Sequence, residues 1–258
     1  MEYFKNIYKA RYILISLVIQ DLKNKYRYSF LGVIWNFLSP LGLVVILGSV
    51  YSIVFNVPAV EFIPYLFSGL LPWIYFTSCA DGGAFAFLSS QGYIKQTQVP
   101  IEIFPLRVSL VNLVNLLISI LAFHLFYFCL SPGSYSWKML LIVPALFIWF
   151  VFCSSWATIS AFINLYLRDF QPFQFLIFQG VFYLSPIIYK AEMLRMHDYE
   201  LIYLLNPFYY LLEIIRQPLL GKLPSLESWG ISAIISIILF QISYYLMRNI
   251  GRKITFKL

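Results

Sequence analysis

Six stretches of this 258-residue chain run for at least 19 residues without an Asp, Glu, Lys or Arg: 28–60, 62–80, 108–137, 139–167, 170–189 and 228–247. A helix crossing the hydrocarbon core of a bilayer needs about 20 apolar residues. Each stretch reaches or approaches that length. Strands of a membrane barrel would alternate polar and apolar residues, and runs such as "LGLVVILGSVYSIVF" and "ISAIISIILF" do not. Only 11% of residues are charged and 61% are hydrophobic, against roughly 25% charged in a soluble domain. Lipid offers no partner to a peptide group, so every backbone N–H and C=O must be satisfied within a helix. The expected fold is therefore all-α and integral to the membrane, with six transmembrane helices.

The bases that remain set the orientation. With six spans and a cytoplasmic amino terminus, 13 of the 18 Lys and Arg residues fall inside, clustered up to Arg27 and again from Arg248 onward. The outer connections carry only Lys138, Lys190, Arg195, Arg216 and Lys222. Such a bias places both termini in the cytoplasm. The net charge of +7 then reflects topology and attraction to anionic lipid rather than nucleic acid, which is not expected as a partner. No cleavable signal is expected, because the first apolar run follows a basic segment and is longer than a signal sequence allows. Cys79, Cys129 and Cys153 all fall in apolar runs without metal-ligand spacing and are expected to be buried thiols.

The chain divides into a membrane-surface helix over 1–30, a permease body over 31–247 and a basic cytoplasmic tail over 248–258. In the first part Lys5, Lys9, Tyr12, Ser16, Gln20, Lys23 and Arg27 recur every three or four positions, with Ile7, Ile13, Leu14, Leu17 and Val18 on the other side. That spacing predicts an amphipathic helix lying flat on the cytoplasmic leaflet. Spans one to four are expected near 31–55, 62–82, 107–130 and 139–165, with bends at Pro40 and Pro72. A cytoplasmic segment, 91–106, is too interrupted by Lys95, Pro100, Glu102 and Pro105 to cross lipid. Its apolar Tyr93, Ile94, Val99, Ile101 and Ile103 require a protein surface to cover them. Near the carboxyl end, residues 200–222 are apolar for about half a span on either side of Asn206 and Pro207. Two re-entrant external half-helices between spans five and six fit that length, since a seventh span would move the basic tail outside.

Catalytic apparatus is not apparent. A Gly-rich phosphate loop followed by Lys is missing, so ATP cannot be cradled by this chain. His124 stands alone in span three and His197 in the outer connection, while Asp81 lies at the inner end of span two. An uncharged His124 hydrogen-bonded between helices and a capped or ion-paired Asp81 are the expected roles. No metal site and no bound cofactor are expected. Aromatic residues make up 20% of the chain, and Trp73, Tyr75, Phe76, Phe178, Phe182 and Tyr183 lie inside predicted spans. Lining a pathway, their faces would suit the C–H surfaces of sugar rings.

Five segments together resemble a known family. "KYRYSFLGVIWNFLSPLG", "SGLLPWIYF", "YIKQTQVPIEIFPLR", "NLYLRDFQPFQFLIFQGVFYLSPIIY" and "NPFYYLLEIIRQPLLG" are similar, in this order, to signatures of the polysaccharide-export permeases of the ABC transporter superfamily, above all the O-antigen exporters. The resemblance covers nearly the whole chain. It implies a homodimer in the bacterial inner membrane, docked to two copies of a cytoplasmic ABC ATPase that bind the ATP and magnesium. It further implies that Tyr93, Ile94, Lys95, Gln96, Pro100 and Glu102 contact the ATPase, with Arg168 and Asp169 near the same surface. The implied cargo is a lipid-linked polysaccharide, whose phosphate-bearing headgroup Lys23, Lys25 and Arg27 would receive. Capsular polysaccharide, teichoic acid or a drug are alternative cargoes for the same fold. A membrane-embedded transferase would need His124 with Asp81, and a secondary transporter would work without ATP.

Overall fold

A computed structural model describes residues 2–27, 32–195, 199–251 and 254. Residues 28–31, His197 and most of the basic tail lie outside the described residues. Thirteen α-helices follow one another among those described: α1 (Glu2–Lys9), α2 (Arg11–Tyr26), α3 (Trp35–Val54), α4 (Ala59–Ala84), α5 (Ala86–Ser89), α6 (Gln91–Gln96), α7 (Ile103–Leu130), α8 (Ile142–Tyr166), α9 (Phe170–Leu184), α10 (Ala191–Arg195), α11 (Glu200–Leu204), α12 (Pro207–Leu219) and α13 (Leu226–Ile250). The described residues contain no strand. Among the described residues four segments are long and apolar enough to cross a membrane: Ala59–Ala84, Ile103–Leu130, Trp137–Tyr166 and Leu226–Ile250. A fifth, Leu38–Val54, is shorter. Helix α9 has 15 residues, which at 1.5 Å per residue extends about 22 Å.

The most extensive contact joins α4 to α8. Both helices run in the same direction, and small residues let them approach. Gly83 packs directly on the Ala157 backbone, leaving no room for a Cβ. At the end of the pair Asn164 Nδ2 donates to the Ala84 carbonyl at 2.9 Å. Lipid tails are as apolar as leucine, so helices in a membrane associate by close packing and polar ties rather than by escape from water. Around this pair lies the main core, with Phe62, Phe67, Phe76, Phe123, Trp149 and Phe152 among its enclosed side chains. Helix α12 is pinned to it by Trp149 Nε1, which donates to the Leu211 carbonyl at 2.7 Å. Helix α9 is pinned by Gln174, whose Oε1 accepts from Trp156 Nε1 at 3.0 Å and Ser160 Oγ at 2.6 Å.

A second core sits at the end of the bundle that holds both chain termini. Ala10, Leu14 and Leu17 meet Phe87, Ile94, Ile103, Phe104, Phe162, Met247 and Ile254 there. The amino-terminal helix is broken at Ala10, and it has three faces rather than the expected two. One face is buried in this core. Lys5, Lys9, Ser16, Gln20 and Lys23 form an exposed polar face. Phe4, Tyr8, Tyr12, Ile15 and Ile19, spaced by three or four residues, form a second apolar stripe that stays largely exposed, with Arg11 over the Tyr8 and Tyr12 rings and Phe4 beside Phe240. Ile13, expected on the buried side, is exposed. The apolar residues were too numerous for one side, and the bundle claims only part of them.

Elsewhere the chain follows its punctuation. Helix α12 begins where Asn206 and Pro207 foretell a break: Asn206 Oδ1 accepts from Phe208 N at 3.0 Å, capping the helix, and Pro207 occupies its first position. Helices α3 and α4 continue through Pro40, Pro64 and Pro72. Cys79 and Cys153 are buried as expected, but Cys129 is exposed, because the end of α7 turns that position outward. Valine at Gly83 should cost about 1–3 kcal/mol by overpacking. It should lower the apparent Tm of the detergent-solubilised protein, whereas Gly42→Ala, where a Cβ meets nothing within 4 Å, should leave it unchanged in a side-by-side melt.

Candidate functional site

The terminal end of the bundle carries the segment expected to couple. After α4 the chain turns through α5 and α6 and runs back into α7, so residues 91–102 lie across this rim. Ile94 and Ile103 are buried, and Val99 and Ile101 pack partly against the same core. Most of the segment's apolar surface is therefore covered by the chain itself, by α2, α7, α8 and α13, and not left for another protein. Tyr93, Lys95 and Gln96 remain exposed, and Pro100 is half-buried. Glu102 is not free to reach outward, because it accepts a hydrogen bond from Asn6 Nδ2 at 3.1 Å. Burial of the phenol, with the Glu102 charge beside it, pushes Tyr3 up to about 12. Close by, Arg107 at the start of α7 grips Asp21 of α2 in a two-pronged ion pair. Two polar ties thus bind the amino-terminal helices to the segment's end. Arg168 and Asp169 are exposed in the short link between α8 and α9, and among the described residues neither makes an ion pair. Beside them Leu167 is 65% exposed, an apolar side chain at a rim position where water or a partner must cover it.

Two clefts open on the flank of α4. One, of about 340 Å³, lies between α4 and α9 and is lined in part by Trp73, Phe178, Phe182 and Tyr183, with Asp81 at one end. Four of the six aromatic residues picked out from the sequence therefore meet at one surface. Phe76 does not, being fully enclosed among Phe152, Trp156, Phe178 and Phe208. Tyr75 points the other way and lines the second cleft, of about 490 Å³, between α3, α4 and α7. Lys25 closes the mouth of that second cleft, while Lys23 and Arg27 do not line it.

Asp81 and His124 are far apart. Gly82 lies against Val108, and His124 is sixteen residues further along α7, about 24 Å at 1.5 Å per residue. They cannot act on one substrate atom. Asp81 instead accepts from Gln171 Nε2 at 3.4 Å. The His124 ring packs near Phe123 and Tyr135, and its buried Nδ1 has no hydrogen-bond partner among the described residues. The Tyr135 hydroxyl beside the ring donates to the His124 carbonyl at 2.7 Å instead, so among the described residues the expected interhelical hydrogen bond of this nitrogen is not made.

At the far end the sequence concealed a buried cation. Arg216 of α12, read as an external base, is 1% exposed. Its Nη1 donates to Tyr65 Oη at 2.9 Å and lies 3.6 Å from Glu213 Oε1, and the guanidinium sits over the Tyr65 ring. The Tyr65 hydroxyl in turn reaches the carbonyls of Pro186 and Tyr189 at 3.1 and 2.9 Å. Helix α12, helix α4 and the turn after α9 are joined at this point. The i,i+3 spacing of Glu213 and Arg216 was the signal available in the sequence.

These features describe a multi-pass membrane protein with a folded rim and two membrane-flank clefts. Residues 12–220 match the family model for the ABC-2 type transporter, and the chain belongs to that family. It is 28% identical over 240 residues to the O-antigen export system permease protein RfbA of Myxococcus xanthus, covering 91% of each chain. Two proteins of the same description from Klebsiella pneumoniae are 29% and 28% identical over 185 residues, covering 70% of each chain. Tyr65→Phe removes the acceptor of Arg216 and the donor to the Pro186 and Tyr189 carbonyls. It should destabilise the fold by about 1–3 kcal/mol, read as a lower midpoint of thermal unfolding in detergent.

Proposed function

We propose that this chain is the membrane-spanning permease subunit of an ATP-driven exporter, moving a lipid-linked O-antigen polysaccharide from the cytoplasmic to the external side of the bacterial inner membrane. The observation that carries this reading is the similarity, over 91% of both chains, to a relative described as an O-antigen export permease. In this reading α3 and α9 complete six spans with the four long helices, and α11 and α12 form the re-entrant pair. The lysine-rich face of α1 and α2 and the positive-inside bias support a cytoplasmic position for the terminal rim. The exposed stripe from Phe4 to Ile19 then meets the lipid headgroup region, as expected of an interfacial helix.

The work comes from elsewhere. Two copies of an ABC ATPase, which hold the ATP and magnesium, dock on Tyr93, Lys95, Gln96 and the exposed Arg168 and Asp169. Ile94, Pro100 and Glu102 hold the segment's shape from behind. Because Glu102 and Arg107 are tied to Asn6 and Asp21, a push on α6 moves the amino-terminal helices and the start of α7 together. Two such subunits associate through flanks that one chain leaves uncovered. Phe173, Phe175, Leu176 and Tyr183 of α9 are all exposed, and their aromatic edge continues the cleft lined by Trp73, Phe178 and Phe182. A route between the copies lets sugar rings stack on these faces while the lipid stays near the bilayer.

In cells producing the glycan, deletion of this chain should cause lipid-linked polysaccharide to accumulate on the cytoplasmic face. In the reconstituted complex, Tyr93→Ala with Lys95→Glu should leave basal ATP hydrolysis intact and reduce export at least fivefold. Normal surface glycan in the deletion strain would contradict the reading.

A further inference from the structure

Asp81 is the charged group for which the export reading has no use. Its carboxylate accepts one long hydrogen bond, from Gln171 Nε2 at 3.4 Å, and among the described residues it makes no ion pair. A carboxylate within a membrane helix is costly unless it is paired or faces a space that a polar group fills. Asp81 stands at one end of the 340 Å³ cleft between α4 and α9, and it is the only charged group among the lining residues. The cleft is graded in polarity along its length. Gln171 belongs to the first turn of α9, so Asp81 lies level with the end of that helix. Thr77 follows about one turn further in, its hydroxyl engaged with the Trp73 and Ile74 carbonyls. Beyond it come Phe178, Phe182 and Trp73, the last two with ring centres 5.6 Å apart.

The length of the cleft matches one leaflet. Leu70, the lining residue of α4 furthest from Asp81, is about 16 Å away along the helix at 1.5 Å per residue, and half of the hydrocarbon core is about 15 Å. The cleft opens sideways, where Leu43, Ile74, Phe175 and Tyr183 are exposed. An occupant suited to it brings hydrocarbon of acyl-chain length to the aromatic walls and a positive hydrogen-bond donor to the carboxylate. We propose that this cleft binds a phospholipid with a primary ammonium headgroup, phosphatidylethanolamine, whose ammonium donates to Asp81 while one acyl chain lies along Trp73, Phe178 and Phe182. Hydrogen bonds between charged partners are roughly twice as strong as neutral ones, and a quaternary headgroup has no N–H to give. Seated there, the lipid closes the cleft until sugar rings displace it from the same faces, a consequence that rests on the export reading, whereas the binding itself does not.

The test uses the full chain in neutral detergent, without ATPase, nucleotide or glycan, so that it succeeds or fails independently of export. Phosphatidylethanolamine, phosphatidylcholine and phosphatidylglycerol with the same acyl chains are titrated in turn, and bound lipid is counted by native mass spectrometry. The wild-type chain should hold phosphatidylethanolamine about tenfold more tightly than either of the others, as one charged hydrogen bond implies. Asp81→Asn, which keeps the size of the side chain, should weaken phosphatidylethanolamine about tenfold and leave phosphatidylcholine unchanged, while Asp81→Glu should keep most of the preference. Thr77→Phe fills the cleft with the carboxylate in place and should abolish the selective binding, which keeps the test valid if Asp81→Asn fails to fold. Glu61→Gln, exposed at the opposite end of α4, should change nothing. Wild-type selectivity in both Asp81→Asn and Thr77→Phe, or no selectivity in the wild type, would overturn the proposal. Phosphatidylcholine binding as tightly as phosphatidylethanolamine, with the same dependence on Asp81, would overturn the primary-ammonium assignment.

Discussion

Gly83 of α4 against the backbone of Ala157 on α8 is the contact on which the rest of the bundle is hung. In hydrocarbon, two apolar helices gain little by meeting unless their backbones come close enough for dense packing. A single hydrogen in place of a side chain allows that approach. From the paired helices the other elements take their positions: α12 through the Trp149 indole, α9 through Gln174, and the end of α4 through Asn164. Each of these ties uses a polar side chain buried in an apolar run, and each satisfies a group that lipid could not.

The same logic governs the rim. The amino-terminal helices are held to the bundle by a greasy face and by two polar ties, Asn6 to Glu102 and Asp21 to Arg107. Further along α2, Lys25 is joined to Asn36 and through it to Asn115. The amino-terminal helices therefore touch the end of the 91–106 segment on one side and the mouth of a cleft on the other. Force applied at α6 need not cross the bundle core to reach that mouth.

Much of this was legible from residue order alone. Charge-free intervals located the long helices to within a few residues, as 62–82 against Ala59–Ala84 and 107–130 against Ile103–Leu130 show. Asn206 and Pro207 marked the break before α12 because capping and proline geometry are local. What stayed hidden was set by partners distant in sequence. Nothing in "QGYIKQTQVP" reveals that Ile94 points inward while Tyr93 points out, and nothing near Glu102 announces Asn6. Arg216 looked like a solvated base because its cover, Tyr65, is 151 residues away. The amides at 112 and 115 did carry a local sign, three-residue spacing on one helix face within an uncharged run, but their meeting with Lys25 and Ser78 around the second cleft needed the fold. Among the aromatic residues, helical spacing could not separate Phe76, which fills the core, from Phe178 and Phe182, which border a cleft.

The central claim is that this bundle is a passive gate worked from its terminal rim by an ATP-hydrolysing partner. It is tested most directly in proteoliposomes holding the chain and its ATPase with a lipid-linked glycan in the outer leaflet, by following arrival of the glycan at the opposite face. Arrival should require both proteins and ATP hydrolysis, with this chain alone hydrolysing no nucleotide. Movement of the glycan by this chain alone, with or without an ion gradient, would contradict the account.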